Sequence, residues 1–261
     1  RLIIQGIRNM MKYRLLILTA VMLLMFPPES AMAQDWPDGL EVMKHIDRNM
    51  VSENQVIEST MIVHGRRSSR TITSRGYMIS DEKSFSEYLS PPREKGTKML
   101  KLEDKLWIYS PSTNRVIQIA GHMLRQSVMG SDLSYEDFTE ADELEEAYDC
   151  TVIGEEQVRD RPAYVVELIG KKDDLAYAKR KVWVDSERWV ALREERFARS
   201  GKLLKTTDIT EVFKVQDRWY PKHMIFKDVL KKGKGTEFII DSIKFDQDIP
   251  EHLFTKAALR K

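Results

Sequence analysis

Apolar and polar residues alternate along most of the chain, and this period of two predicts β-strands. Short turn sequences such as GRRSS, SPSTN, DSER and KKGKG interrupt the alternation. Short turns between successive strands predict antiparallel neighbours. About thirteen strands are predicted, over residues 55–64, 70–80, 85–89, 97–102, 106–109, 115–119, 151–158, 163–169, 179–185, 189–197, 203–215, 219–230 and 236–245.

Three segments depart from this pattern. Residues 39–50 carry apolar side chains at helical spacing, which predicts an amphipathic helix with Asp38 placed to cap its N-terminus. Residues 121–148 alternate only weakly and contain an acidic run, so they read as a loop with short helices. The final IPEHLFTKAALRK reads as a terminal turn or helix.

These elements predict a mainly β (α+β) fold built on one large antiparallel sheet. The chain has 261 residues, of which 42% are hydrophobic, enough for one sizeable core. A flat sheet of this width would leave apolar surface exposed, whereas a strongly curved sheet can close on a helix. The curved sheet is therefore the expected architecture.

The N-terminus has the pattern of a secretory signal peptide. Lys12 and Arg14 precede an uncharged apolar run over residues 15–26, and the sequence AMA ends at Ala33. Small residues at positions −3 and −1 relative to the cleavage point, here Ala31 and Ala33, predict cleavage after Ala33. The apolar run is shorter than the roughly 20 residues of a membrane span, although an N-terminal anchor is the alternative reading.

Residues 1–33 are thus predicted to be upstream residues and a cleaved signal peptide, and residues 34–261 a single exported domain. The chain has one cysteine, Cys150, which excludes an internal disulfide. An exported protein without disulfides suits a bacterial periplasm. Residues 34–261 contain 38 basic and 40 acidic residues, a balance that does not indicate nucleic-acid binding.

Catalytic and metal-binding signatures are weak. Ser80 and Lys83 have the spacing of a serine acyl-enzyme motif, but that motif needs a helix and these residues are predicted in a turn. The five histidines have no paired spacing, and there is no glycine-rich phosphate loop. We therefore predict no catalytic residues, no metal and no cofactor.

The sequence MGSDLSYEDF, residues 129–138, concentrates carboxylates in the weakly alternating segment. Their spacing does not fit an EF-hand loop. Asp132 and Ser134 can instead cap short helices, and Ser134 and Asp137 have capping-box spacing with Asp in the place of Glu. We predict that these three residues cap the insert while Met129, Leu133 and Phe138 face inward.

The order of these features resembles the lipoprotein-carrier (LolA/LolB-like) superfamily, and within it the outer-membrane lipoprotein-sorting proteins. An exported chain opens with an amphipathic helix, and a central insert divides its strands. The segments that carry the resemblance are LWIYSPSTNRVIQIAG (106–121), MGSDLSYEDF (129–138), KVWVDSERWVALREE (181–195), YPKHM (220–224) and LFT (253–255).

The resemblance implies a half-open, strongly curved antiparallel β-barrel with an N-terminal helix and a central helical lid, about residues 121–148, over an apolar cavity. Such proteins hold the acyl chains of lipoproteins or other lipids and carry them between the inner and outer membranes without covalent chemistry. This implies a monomeric carrier that is not an enzyme. The alternative is a binding, sensor or accessory module on the same fold that contacts an inner-membrane RND-type exporter or a regulator.

The candidate lipid-binding residues lie in or near the insert and the strands leading into it. They are Trp107, Tyr109, Ile117, Met123, Leu124, Met129, Leu133 and Phe138. The resemblance also implies an arginine near the rim that bonds to the backbone of the lid. The sequence offers Arg66, Arg75 and Arg115 for this role.

Overall fold

The alternating segments fold into thirteen strands. The computed structural model describes residues 35–50, 52–65, 67–80, 82–138 and 144–261, so the predicted signal peptide lies outside the described residues. The strands are β1 Asn54–His64, β2 Ser69–Ile79, β3 Lys83–Ser90, β4 Lys98–Leu102, β5 Lys105–Ser110, β6 Arg115–Ile119, β7 Tyr148–Val158, β8 Arg161–Gly170, β9 Lys179–Asp185, β10 Ala191–Phe197, β11 Leu203–Val215, β12 Arg218–Asp228 and β13 Thr236–Phe245. The predicted strand pattern is confirmed.

All thirteen strands belong to one sheet with the order β6-β5-β4-β3-β2-β1-β13-β12-β11-β10-β9-β8-β7. Each strand pairs antiparallel with its neighbours. The sheet is open, with β6 and β7 at its two edges. These edge strands are consecutive in sequence, so the segment between them must pass from one edge of the sheet to the other.

The sheet is curved around helix α1, Gly39–Met50. This helix contacts β7, β8 and β12. In a flat sheet β7 and β12 would lie about 24 Å apart, more than the roughly 18 Å length of a helix of twelve residues. The predicted cap is confirmed, because Asp38 Oδ1 accepts a hydrogen bond of 3.0 Å from Glu41 N. None of the helices in the described ranges is long and apolar enough to cross a membrane.

Side-chain alternation gives the sheet two faces. On one face, which we call the insert face, each of the first six strands contributes one buried apolar side chain: Met61, Ile72, Tyr88, Met99, Leu106 and Ile119. On the opposite face, Phe85, Leu100 and Trp107 pack beneath Phe254 and Leu259 of the C-terminal segment. That segment contains two short 3₁₀ helices, Glu251–Phe254 and Ala258–Arg260.

Helix α1 lies on the insert face as well. Its last residue, Met50, packs against a second apolar cluster that includes Ile243 and Phe245. Phe238 contacts both this cluster and the cluster of the first six strands. The apolar surface of the insert face is therefore continuous from β6 to the end of α1.

Gly235 lies where the β12–β13 turn meets β13, and the backbone there has no room for a side chain. Its φ is +96°, and a Cβ atom there would lie 2.6 Å from the carbonyl oxygen of Phe226. Gly235→Ala should lower the free energy of unfolding by about 1–3 kcal/mol because it adds backbone strain and a clash. Denaturant unfolding measures this, with Gly76→Ala as the control because its Cβ would meet nothing within 4 Å. Equal losses in the two variants would contradict this view of the turn.

Candidate functional site

The segment between β6 and β7 consists of short helical pieces. We call residues 121–138 the insert; it contains 3₁₀ helices at Gly121–Arg125, Val128–Gly130 and Tyr135–Phe138. A one-turn helix α2, Leu144–Ala147, precedes β7. Such short 3₁₀ pieces have little stability of their own, so their position depends on contacts with the sheet.

The apolar side of the insert packs on the insert face. Val128 is 1% exposed and Leu133 is 6% exposed, and both belong to the cluster formed by the first six strands. Three more predicted residues, Met123, Leu124 and Met129, are partly buried against the same cluster. The structure thus brings together Met123, Leu124, Met129 and Leu133.

The other predicted residues lie elsewhere. Trp107 and Tyr109 face the C-terminal segment on the opposite face of the sheet, because they alternate with Leu106 along β5. The Lys256 ammonium lies 4.3 Å from the centre of the Trp107 ring. Ile117 and Phe138 are 45% and 40% exposed.

Asp132 fastens the insert to β12 and β13. Its Oδ1 accepts a hydrogen bond of 3.0 Å from Asp228 N, and its Oδ2 accepts one of 2.9 Å from Thr236 Oγ1. The Asp132 N–H donates to Thr236 Oγ1 at 3.0 Å. The structure therefore uses Asp132 to bond the sheet, where the sequence predicted a helix cap.

Ser134 and Asp137 form one half of the predicted capping box. Asp137 Oδ2 accepts a hydrogen bond of 2.7 Å from Ser134 N. In a capping box the acidic residue three positions after the N-cap accepts the same bond. The Ser134 hydroxyl does not return this bond to the backbone. It donates to Asp137 Oδ2 at 3.0 Å, so the backbone N–H and the hydroxyl of Ser134 both bond to the Asp137 carboxylate.

Asp137 also connects the insert to the second half of the sheet. Arg196 Nη1 of β10 donates to Asp137 Oδ1 at 2.8 Å, and Lys205 Nζ of β11 lies 2.5 Å from Asp137 Oδ2. Tyr177 Oη donates to Oδ1 at 2.7 Å from the β8–β9 loop. Burial opposes ionisation of this carboxyl, but the charges of Arg196 and Lys205 outweigh it and lower the pKa of Asp137.

The ionic network continues beneath the insert. Glu194 of β10 accepts from Arg180 Nε of β9 at 2.7 Å and from Arg196 Nη2 at 2.9 Å. Glu194 is only 8% exposed. Burial raises its pKa, but the charges of Arg180 and Arg196 more than compensate and bring the pKa of Glu194 to about 2. Opposite charges thus form a buried chain on the insert face.

An arginine bonds to the backbone of the insert, and it is Arg70, which is not among the three candidates. Arg70 Nη2 donates to the Met129 carbonyl oxygen. Arg75 pairs with Glu58 at 2.6 Å, Arg115 is exposed at the start of β6, and Arg66 lies outside the described residues. Arg70 shares the insert face with Ile72, two residues along β2, and this alternation is a signal that could have identified it.

Sequence reasoning also missed Arg180, Glu194, Arg196 and Lys205. Charged residues in exported proteins are usually solvated, so single positions carried little information. A usable signal lies in the alternation: Arg180 shares one side of β9 with Val182, and Lys205 shares one side of β11 with Ile209. Charges of opposite sign on the apolar sides of neighbouring strands indicate a buried ionic network.

Two pockets are found among the described residues, and charged side chains line part of each. One of about 170 Å³ lies between the insert and the ends of β11 and β12, where Ser127, Lys205 and Lys231 line it. The other, of about 240 Å³, lies on the opposite face beside Glu58 and Arg75. Both are smaller than the roughly 300 Å³ at which ligand pockets begin. Among the described side chains, no group of three or more His, Cys, Asp or Glu is placed to hold a metal ion.

Solved structures share this fold. A domain described as an outer-membrane lipoprotein-sorting protein, from Vibrio parahaemolyticus, is 25% identical and superimposes with a TM-score of 0.75, covering 85% of this chain and 98% of its own. A DUF1329 family protein from Desulfovibrio piger is 24% identical with a TM-score of 0.75, covering 85% and 97%. A LolA superfamily protein from Nitrosomonas europaea is 21% identical with a TM-score of 0.70, covering 85% and 100%.

A comparison of the sequence with protein-family models also matches most of the chain. A protein-family model described as "Uncharacterized protein" matches residues 80–261, more than half of the chain. The chain belongs to the family of this model, and it shares the fold of the outer-membrane lipoprotein-sorting and LolA superfamily structures. No curated protein sequence matches this LolA-like protein. The family resemblance inferred from its five sequence segments is thus confirmed.

Arg196 tests the buried network, since it joins Asp137 to Glu194. Arg196→Met keeps much of the side-chain volume but leaves two buried carboxylates with fewer counter-charges. We expect the free energy of unfolding to fall by about 3–5 kcal/mol. Denaturant titration at pH 7 measures this, and the matched control Arg75→Met, which removes an exposed pair with Glu58, should change it little. Similar losses in both variants would contradict the special position of Arg196.

The same network predicts acid sensitivity. The pKa of Glu194 is lower in the folded protein than its ordinary value of about 4.3, so its ionised form stabilises the fold above that pH. This stabilisation should disappear as the pH falls from about 4 towards 2. In Glu194→Gln the decline in unfolding free energy over this range should be smaller than in the wild type. An identical decline, measured by urea unfolding at several pH values, would contradict the assignment.

Proposed function

We propose that this LolA-like protein is a carrier that binds the acyl chains of lipoproteins or other lipids on its insert face. The observation that carries the proposal is the way the insert covers that face. Apolar side chains such as Leu133 point to the sheet, while the attachment is supplied mainly by polar contacts of Arg70, Asp132 and Asp137. Such a cover can leave without unpairing any strand.

The energies support an exchange between the insert and an acyl chain. Burying a chain of about 16 carbons contributes on the order of 10 kcal/mol gross. Uncovering Val128 and Leu133 costs about 1.5–3 kcal/mol each, before the loss of the polar contacts. Together with the loss of the polar contacts, this cost offsets much of the gain, and such a balance suits a carrier that must both take up and release its cargo.

The insert has features expected of a cover with two positions. Its 3₁₀ pieces are short, and Met129 has a φ of +51°, a backbone conformation that is uncommon for residues other than glycine. Met61, Met99 and Met129 offer flexible side chains that adapt to different apolar partners. The predicted central lid therefore corresponds in this proposal to residues 121–138.

The proposed site of action is the periplasm, following the predicted signal peptide, with cargo moving from the inner to the outer membrane. Binding and release of an acyl chain require no covalent step, so the proposed role is not enzymatic. An RND-type exporter as partner stays a prediction from the family resemblance.

A photoactivatable palmitate analogue tests the proposed site. After irradiation, mass spectrometry should locate the adducts on the insert face, at or near Met61, Tyr88, Met99 and Leu133. Adducts mainly on Phe85, Leu100 and Trp107, on the opposite face, would contradict the proposed location. Failure of the protein to bind or crosslink any acyl probe would contradict the carrier function itself.

Arg70→Gln tests whether the insert competes with the acyl chain. The variant weakens a charge-assisted contact that holds the insert on the sheet. We expect a fluorescent acyl probe to bind about 10-fold more tightly, since a hydrogen bond to a charged group contributes about 1.5–3 kcal/mol. Arg75→Gln is the matched control and should leave the probe Kd unchanged. Weaker binding in Arg70→Gln would show that the closed insert helps to form the site.

A further inference from the structure

Basic side chains are concentrated in four neighbouring loops at one end of the sheet. Antiparallel pairing also places the β8–β9 loop at this end, with exposed Asp173 and Asp174. Beside it lie the four basic loops, β10–β11, β12–β13, β1–β2 and β3–β4. The described residues of these loops include one acidic side chain, Glu94, which pairs with Arg70 at 3.4 Å. Arg199, also exposed, pairs with Asp173 of the β8–β9 loop at 2.7 Å. The other exposed cations of the four loops, which we call the basic rim, are Arg67, Arg93, Lys95, Lys202, Lys232 and Lys234.

The other end of the sheet has the opposite character. Exposed carboxylates in its turns include Glu53, Glu82, Glu103, Asp104, Asp217 and Asp248. The 38 basic and 40 acidic residues of the predicted mature chain nearly cancel, so this polarity comes from the placement of the charges. A molecule of this kind is oriented by a charged surface even though its net charge is small.

The β12–β13 loop adds an apolar tip to the basic rim. Val229 is 37% exposed and Leu230 is 59% exposed, and both stand directly before Lys231, Lys232 and Lys234. Exposed aliphatic residues beside several lysines suit the interface of an anionic lipid layer, where the charges meet headgroups and the aliphatic residues enter the acyl boundary. Cations spread over four loops also suit a surface whose charges have no fixed pattern.

We propose that the basic rim docks onto membranes rich in anionic phospholipid, with Leu230 entering the bilayer interface. The rim is next to the insert, because Lys231 Nζ bonds to the Ser131 carbonyl oxygen at 2.6 Å and Thr236 bonds to Asp132. A membrane at this rim therefore lies beside the cover of the insert face. The docking surface needs no acyl cargo, so it can be tested separately from the carrier function.

Sedimentation with phospholipid vesicles tests the proposal, using the predicted mature chain without cargo. We expect binding to vesicles of equal parts phosphatidylglycerol and phosphatidylcholine at low salt, and little binding to phosphatidylcholine alone. Binding should weaken steeply as salt is raised. Lys232→Glu with Lys234→Glu should weaken it by at least about 10-fold, since each basic residue near an anionic surface contributes appreciably.

The matched control is Lys105→Glu with Lys214→Glu, which makes the same change in net charge near the acidic end. It should retain binding within about twofold. Equal weakening by both double variants, or no binding of the wild type to anionic vesicles, would overturn the proposal; the second outcome would favour an acidic protein surface as the partner. Melting temperatures of all variants verify that they are folded.

Leu230→Asn tests the apolar tip without changing charge. We expect binding to anionic vesicles to weaken about threefold or more, because the variant removes aliphatic surface from the interface. An unchanged affinity would overturn the role of Leu230. Vesicle binding by a protein that binds no acyl probe would retain this docking surface and remove the carrier function, so the two proposals fail separately.

Discussion

The position of the edge strands constrains the whole molecule. Strands β6 and β7 follow one another in sequence but lie at opposite edges of a sheet of thirteen strands, so the chain between them must cross the sheet. Successive residues of the insert meet successive strands on the way. Met129 bonds to Arg70 of β2, Asp132 to Thr236 of β13, and Asp137 to Lys205 and Arg196 of β11 and β10. This topological requirement thus produces a cover whose described residues follow the curved face from β2 to β10.

The contacts that attach this cover support the proposal that it moves. Apolar contacts of Val128 and Leu133 supply non-directional burial, whereas the ionic contacts of Asp137 fix where the insert sits. Buried ion pairs gain little net stability because desolvation offsets their attraction, yet leaving one charge unpaired is costly. The network therefore fixes one defined position of the insert on the sheet, and the proposed reversible cover needs such a position.

The strands and α1 follow from local alternation, and the sequence therefore predicts them well. Which residues share a site depends on the side of the strand that each occupies. The sequence predicts Trp107 and Tyr109 beside Leu133 because their strand leads towards the insert, but the side of β5 that they occupy places them under the C-terminal segment. Arg70, Arg196 and Glu194 were missed because their partners lie on strands far away in sequence. Pairing across the sheet, which one sequence does not reveal, decides these contacts.

We propose that the insert leaves the apolar face when an acyl chain binds. Distances between spin labels at Gln126 of the insert and Lys222 of β12 test this directly, after replacement of Cys150 by serine. We expect one short distance in the free protein and a longer one with palmitate, with the longer population already present in Arg70→Gln without ligand. The same distance in all three samples, despite proven palmitate binding, would contradict it.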